Sequence, residues 1–480
     1  MEFNHLLIFL LTYLFIATCA LFFSALRKNN IANNSLAVLA LGLLIATIVL
    51  GSKAFPNQNY LQVLITEVLS RDAKSVLAIF MGAMFGILWW IAISIYHPMS
   101  STNHMKLKTA AVIASLFGAS VSVFVLVAFD IFRADLGTKA VEPGFTIETI
   151  GEVPALAIRV SVDDEDNPYV VYDTYDNGYQ YGTVVKFSRQ ADGKYLAKTV
   201  AESAAIHRPY GIAIRNKKIY ISRSGNLIHA KNGGLEYTNA GAVTELQDLD
   251  DDGYYEYYND VVTNLPGARG PSTQHQNNGL AFDSEGALYI TSGVNSDREA
   301  PEEKLEGVIL KASPDFSTLT SFAAGLRNPF GIAIGLDQQI FITDQDITER
   351  NPGDELNHIR KGHHYGHPYQ IAQIDTGLRG FTPPIHMGQP DGNLVGLDYM
   401  GRGRLYEKYK NSLAVGDLSR NQIDLLELEK DGETFKVREI RTLAKVPRVV
   451  DVVVSDKGTI FAVSRFLKKL YRISYNENRP

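Results

Sequence analysis

A single cysteine, Cys19, serves all 480 residues. No intrachain disulfide, CxxC pair or thiolate metal cluster can therefore form, and cysteine usage says nothing about compartment. Nucleotide-binding signatures are lacking too: there is no GxGxxG opening a helix, no GxSxG and no phosphate loop, which removes support for nicotinamide, serine-hydrolase and nucleotide chemistry. Basic charge is scarce where a nucleic-acid surface would need it. Residues 1–135 hold eight basic and five acidic side chains, leaving 38 basic against 47 acidic, a net −9, for the rest of the chain. An acidic remainder of this kind argues against nucleic acid and suits small neutral or cationic ligands. Beyond residue 135 there is no sustained amphipathic helical period, which excludes the helical solenoids.

What is present divides in two. Four apolar runs at 6–26, 35–52, 75–96 and 109–131 are almost free of charge, and each approaches the ~20 residues a helix needs to cross a bilayer. The first has no Lys or Arg before it and three similar runs after it, so it reads as a spanning helix and not as a cleaved signal peptide. Residues 1–133 are thus expected to form a four-helix transmembrane region. Loops carrying Arg27, Lys28, Lys106 and Lys108 would be cytoplasmic under the positive-inside bias. That makes the chain a multi-pass protein of the cytoplasmic membrane, with its C-terminal domain on the extracytoplasmic (periplasmic) side.

A linker is expected over 134–150, where Gly137, Pro143 and Gly144 fall, followed by a repeating domain over 151–475. Its phrase is a small or apolar strand, a polar turn and an apolar-aromatic strand. Copies begin at 154, 209, 277, 329 and 448, with a degenerate one, NSLAVGDLSRNQIDLLELE, at 411. Turns such as Asp283–Gly286 and Asp456–Gly458 end on glycine, which accepts positive φ without Cβ strain. Six phrases over this length predict an all-β fold, a six-bladed β-propeller, with ligands near the channel mouth.

Polar side chains crowd the strand ends. Gly325-Leu326-Arg327-Asn328-Pro329 precedes one strand pair and Asp354-Glu355-Leu356-Asn357…Tyr365-Gly366-His367-Pro368 follows it. Gln274-His275-Gln276-Asn277-Asn278-Gly279-Leu280 stands before another strand, and an imidazole there has the ordinary pKa that suits taking a proton from an alcohol. The Asp248-Leu-Asp250-Asp251-Asp252-Gly253 run has carboxylates at alternate positions and a glycine for the bend, the pattern of a calcium loop, although its twelfth position, Asn259, is not the bidentate Glu of an EF-hand. Asp248, Asp250 and Asp252 are its candidate ligands; a solvated acidic turn is the plain alternative. Histidines 358, 363, 364 and 367 invite a zinc reading, but no second ligand cluster accompanies them.

The G-x-R-N-P and D-E-[LI]-N…Y-G-x-P blocks resemble those of the soluble glucose/sorbosone dehydrogenases, quinoprotein six-bladed propellers that include aldose sugar dehydrogenases. The resemblance implies pyrroloquinoline quinone and calcium as cofactors and a small sugar-like substrate. It implies that His275 is the base that takes the hydroxyl proton, and that Gln276, Arg327, Asn328, Arg420 and Arg448 meet the cofactor. Guanidinium groups pair bidentately with carboxylates, of which this quinone has three. Asp354, Glu355 and Tyr365 match the family's calcium region. Three positions depart from the pattern: Phe330 where glucose-oxidising members have Gln, Ser419 where the cofactor-binding Lys is expected, and Val450 in place of the second Arg of R-x-R-D-V.

The leading expectation is a membrane-anchored quinoprotein that oxidises a sugar or other hydroxyl or hemiacetal substrate by hydride transfer, its embedded N-terminus near a membrane electron acceptor. The departures favour a rival, a non-catalytic propeller that binds a ligand or partner at the membrane surface. A metal-dependent lactonase-like hydrolase is the third alternative.

Overall fold

The chain divides into two units, Met1–Asp135 and Leu136–Pro480. The computed structural model describes residues 137–154, 157–176, 179–224, 227–229, 235–237, 241–267, 277–296, 300–345, 353–369, 380–390, 392–465 and 467–477. The four apolar runs lie outside the described residues. Among those described, no helix is long and apolar enough to cross a membrane.

Six antiparallel sheets follow one another along the chain. Blade one is Arg159–Val162, Pro168–Asp176, Tyr179–Arg189 and Tyr195–Ser203. Blade two is Pro209–Arg215, Lys218–Arg223, Gly241–Gln247 and Tyr257–Leu265. Blade three is Asn277–Phe282, Leu288–Ser292, Val308–Ala312 and Leu319–Ala324. Blade four is Pro329–Gly335, Gln339–Asp344, Glu355–Ile359 and His386–Met387. Blade five is Leu394–Tyr399, Ser412–Asp417, Gln422–Asp431 and Thr434–Lys445. Blade six is Val449–Val454, Ile460–Ser464 and Lys469–Tyr475, completed by Phe145–Glu152 from upstream. The first strand of each blade neighbours the first strands of the blades on either side, blade six beside blade one, so six inner strands ring a channel.

The second strands explain why the repeat is legible. Tyr289 and Ile290, Phe341 and Ile342, and Phe461, Ala462 and Val463 are all buried, because a central strand packs on both faces against neighbouring blades. The outermost strands, such as Tyr195–Ser203, are largely exposed on one face. Six apolar clusters result among the described residues, one at each junction between consecutive blades. Each large side chain buried there stabilises the ring by ~1.5–3 kcal/mol.

Two expectations are corrected. The stretch expected as linker over 134–150 contributes strands: Lys139–Ala140 pairs with the outer edge of blade five and Phe145–Glu152 with Lys469–Tyr475. A ring sheet closed by strands from both ends holds its first and last blades together, and Phe145 is buried against Tyr409 and Tyr475. The degenerate phrase at 411 spans the second and third strands of blade five; its inner strand is Leu394–Tyr399. The connection between the first two strands there is not a tight turn. It carries Gly403–Leu405 and Tyr406–Tyr409 as short helical turns, which breaks the sequence rhythm.

Candidate active site

Aligning the inner strands by their place in the repeat brings Arg159, Gly211, Gly279, Gly331, Gly396 and Asp451 to one level of the channel. In five of the six strands, blade one being the exception, pairing with the second strand shifts register at or beside this residue. The freed amides are caught by side chains, as when Gly279 N–H donates to Thr291 Oγ1 (2.8 Å) and Gly331 N–H to Thr343 Oγ1 (3.0 Å). Glycine is required at three of these positions because a Cβ would stand 2.7 Å from Ile332 Cγ2 at Gly279, 2.6 Å from Leu397 Cδ2 at Gly331 and 1.8 Å from Asp451 Oδ1 at Gly396.

The two residues that are not glycine fill the bore. Arg159 Nη2 donates to Phe330 O (2.7 Å) in blade four, across the channel from blade one. Its Nη1 lies 3.7 Å from Asp451 Oδ1, and its Cζ lies 3.6 Å from the centre of the Phe330 ring. Val160 N–H donates to Asp451 Oδ2 (2.9 Å). Burial lowers the pKa of Arg159 against the attraction of Asp451, and burial pushes the Asp451 carboxyl up to about 6 in spite of Arg159. Beyond this level the channel opens into a cavity of about 290 Å³, lined among others by Ser161, Ala281, Asp398, Arg402 and Val453. These residues follow the bore along the inner strands, so the cavity faces the end opposite the residues named from the sequence blocks.

Those residues precede the inner strands and form the other end, the rim. Arg327 and Asn328 come directly before blade four. Their backbone N–H groups both donate to Asp344, at 3.0 and 2.7 Å. Arg327 Nη1 donates to Gln345 O (2.8 Å), Asn328 Nδ2 to Gln345 Oε1 (2.7 Å), and Gln345 Nε2 to Asn393 Oδ1 (2.6 Å), which ties blade four to blade five. Arg448 directly precedes blade six, half-buried, with its N–H on Asn421 Oδ1 (2.8 Å). Arg420 sits in the rim turn of blade five. It is exposed and paired with Asp424 (3.5 Å) and Asp417 (4.0 Å). His275 and Gln276 lie outside the described residues; in sequence they directly precede the inner strand of blade three. The structure thus brings Arg327, Asn328, Arg420 and Arg448 to one rim.

The metal candidates fare differently. Carboxylate oxygens of Asp248, Asp250 and Glu256 lie within 4.8 Å of one another, the one such group among the described residues. Asp252 is not part of it; its Oδ1 accepts from Tyr254 N–H (2.7 Å). Glu256, the ninth residue from Asp248, takes that place, and the acidic spacing could have found it. This loop joins the third and fourth strands of blade two, so it lies opposite the rim and would hold a structural cation, not one beside a rim cofactor. Asp354 accepts from Leu394 N–H (2.8 Å) and Glu355 from Asn357 Nδ2 (2.9 Å). Tyr365 is not a metal ligand: its buried hydroxyl donates to His358 O (2.6 Å) and accepts from Arg360 N–H (2.9 Å), clasping the turn after the third strand. Of the histidines, His358 is committed to Gln339 and Thr434, and His363 to Thr382.

Packing accounts for two of the three departures, Phe330 and Val450. Phe330 backs Arg159, Val450 is buried in the apolar cluster between blades six and one, and Ser419 is exposed in its turn. Sequence reasoning passed over Arg159 and also His207-Arg208, which precedes blade two as Arg327-Asn328 precedes blade four. Only the register of the repeat signals it.

The fold is that of known dehydrogenases. It matches the quinone-bound aldose sugar dehydrogenase of Streptomyces coelicolor with a TM-score of 0.53 at 15% identity, over 69% of this chain and 98% of that one. The soluble aldose sugar dehydrogenase of Escherichia coli, solved without cofactor, gives 0.51 at 16% over 69% and 100%. An uncharacterised protein of Borreliella burgdorferi is 24% identical over 309 residues, 58% of this chain and 78% of its own. The profile of the Glucose / Sorbosone dehydrogenase family matches residues 214–469, more than half of the chain, and the chain belongs to that family.

Proposed function

We propose that the protein is a quinoprotein that oxidises a sugar or other hydroxyl or hemiacetal substrate. The observation that carries this reading is the convergence of Arg327, Asn328 and Arg448, far apart in sequence, on one rim of the channel. That donor set suits pyrroloquinoline quinone: two guanidinium groups and an amide would serve a carboxylate-rich planar molecule, while the rim carboxylates Asp344 and Asp417 are occupied by backbone N–H groups. When bound, the quinone supplies the two-electron acceptor that the side chains lack. The protein's part is to bind and orient it through Arg327 and Arg448, to hold Asn328 in place through Gln345, and to take the substrate hydroxyl proton on His275. Arg159 and Asp451 close the bore behind the rim and limit water entry from the opposite end.

Membrane anchoring by the four apolar runs belongs to the same proposal, with the propeller extracytoplasmic and near a membrane electron acceptor. A C-terminal alkaline phosphatase fusion, active only outside the cytoplasm, tests it; an inactive but intact fusion would reverse the orientation.

For the activity, purified full-length protein is incubated with quinone and calcium, and dye reduction is followed across a panel of aldoses. Turnover that disappears in His275→Ala while quinone absorbance stays with the protein is the expected result. Absence of quinone binding would leave the rival, a non-catalytic rim that binds a ligand or partner, which Phe330, Ser419 and Val450 favour.

A further inference from the structure

Two arginines on the rim share a backbone state that bulky residues rarely adopt. Arg208 has φ 50° and Arg448 has φ 52°, and each directly precedes the first residue of an inner strand, Pro209 or Val449. Each has its N–H held by a side-chain oxygen of the preceding blade: Arg208 by Asp173 Oδ1 of blade one (2.7 Å), Arg448 by Asn421 Oδ1 of blade five (2.8 Å). Equal register, equal φ and the same clamp in blades related by rotation about the channel give the two side chains equivalent starting points on the rim. A left-handed arginine kept in place by its surroundings is the kind of strain that accumulates at ligand sites.

The residue before it is fixed as well. Ser203 Oγ caps the short turn Ala204–Ile206 by accepting from Ala205 N–H (3.0 Å), and the turn lies so close to blade one that a Cβ on Gly182 would meet Ile206 O at 1.9 Å. His207 follows, 2% exposed. Its Nδ1 lies 3.1 Å from Ala204 O and therefore carries the proton, which leaves Nε2 as a buried acceptor with no protein partner. By register, His207 stands where Arg327 stands before blade four and His275 before blade three.

We propose that His207-Arg208 is a ligand-binding pair of the rim, in which Arg208 is a third guanidinium for a carboxylate of the quinone and His207 Nε2 accepts a hydrogen bond from the bound ligand. This rests on the quinone reading above. Arg208, Arg327 and Arg448 then occupy alternate blades, two, four and six, around the ring. Arg208 makes up for a positive charge absent at Val450, from a segment upstream of the residues that match the family profile.

The test is equilibrium binding by full-length protein in detergent with calcium, using two probes: pyrroloquinoline quinone and phenanthrenequinone, a planar quinone without carboxylates. Arg208→Gln should weaken binding of the first about tenfold or more and leave the second within twofold, because only the first offers a partner to the guanidinium. His207→Phe should weaken binding of the first by a smaller factor. Equal loss for both probes would mean a structural role and overturn the proposal, as would unchanged affinity for the first. If Arg208→Gln unfolds, Arg208→Lys decides: a loss intermediate between wild type and tenfold is expected, and none would overturn it. Failure of the wild type to bind pyrroloquinoline quinone would remove the functional reading and this inference together, whereas binding that is indifferent to residue 208 removes only the inference.

Discussion

In the bore, the side chains of Arg159 and Asp451 are themselves the clamp: they pair with each other between adjacent blades, Arg159 reaches across the channel to Phe330 and Asp451 accepts from Val160 N–H, with glycines at the other four positions of the same level. At the rim, only a few residues upstream on the same strands, the clamps fall on the backbone, where Asp173, Asp344, Asp417 and Asn421 hold the N–H groups of Arg208, Arg327, Asn328, Asn393 and Arg448. One level spends its charged side chains on closure. The other fixes the main chain, ties the side chains of Arg327 and Asn328 to Gln345, and gathers donor groups around the channel mouth.

Substitutions separate the two levels if this contrast holds. Arg159→Leu should have the largest effect, about 3–5 kcal/mol of lost stability, because it strands the Asp451 carboxylate without a counter-charge. Denaturant unfolding of the full-length protein measures it, and a loss below ~1 kcal/mol would mean that the pair does not close the bore. Asp451→Asn tests the same pair through pH. The carboxyl is raised from 3.8 in the unfolded chain to about 6 in the folded one, so its contribution is fully present below pH 4 and is lost as pH rises through 6. That loss is of order 3 kcal/mol. Asp451→Asn, although less stable overall because Arg159 loses its partner, should flatten the fall in stability between pH 4 and 6. Gly396→Ala pushes a methyl group into the same carboxylate and should cost about 1–3 kcal/mol.

At the rim the sign of the contrast reverses. Arg448→Gln should weaken quinone binding about tenfold, ~1.4 kcal/mol, while the unfolding midpoint hardly moves. A large stability loss there, with quinone affinity intact, would make Arg448 another structural plug.

Much of the fold was legible because its most buried strands carry the clearest signal. Runs such as KIYIS, LYITS and IFAVS are apolar on both faces, and their spacing announced the blades. Blade five was misregistered because a pair of short helical turns separates its first two strands, and the closing strand Phe145–Glu152 was missed because its partner lies more than 300 residues away. Arg327, Asn328 and Arg448 were singled out from local blocks, and the ring places them on one rim. Glu256 was overlooked in favour of Asp252 because alternation suggests which carboxylates can converge but not which oxygens come within reach of one another in the folded loop. Tyr365 was misassigned for a similar reason: its hydroxyl is consumed by the main chain of its own turn.

The amino-acid order alone determined the number of blades, the apolar core of each and the acidic character of the domain, since these depend on strand periodicity and composition within short windows. Which residues share the bore, that Arg159 pairs with Asp451 of the adjacent blade and reaches Phe330 across it, and that Arg208 stands in register with Arg448 were decided only by closure of the ring. Closure superimposes positions 50 or more residues apart, and the steric fit of glycine against a neighbouring carboxylate or carbonyl exists only once the strands are side by side.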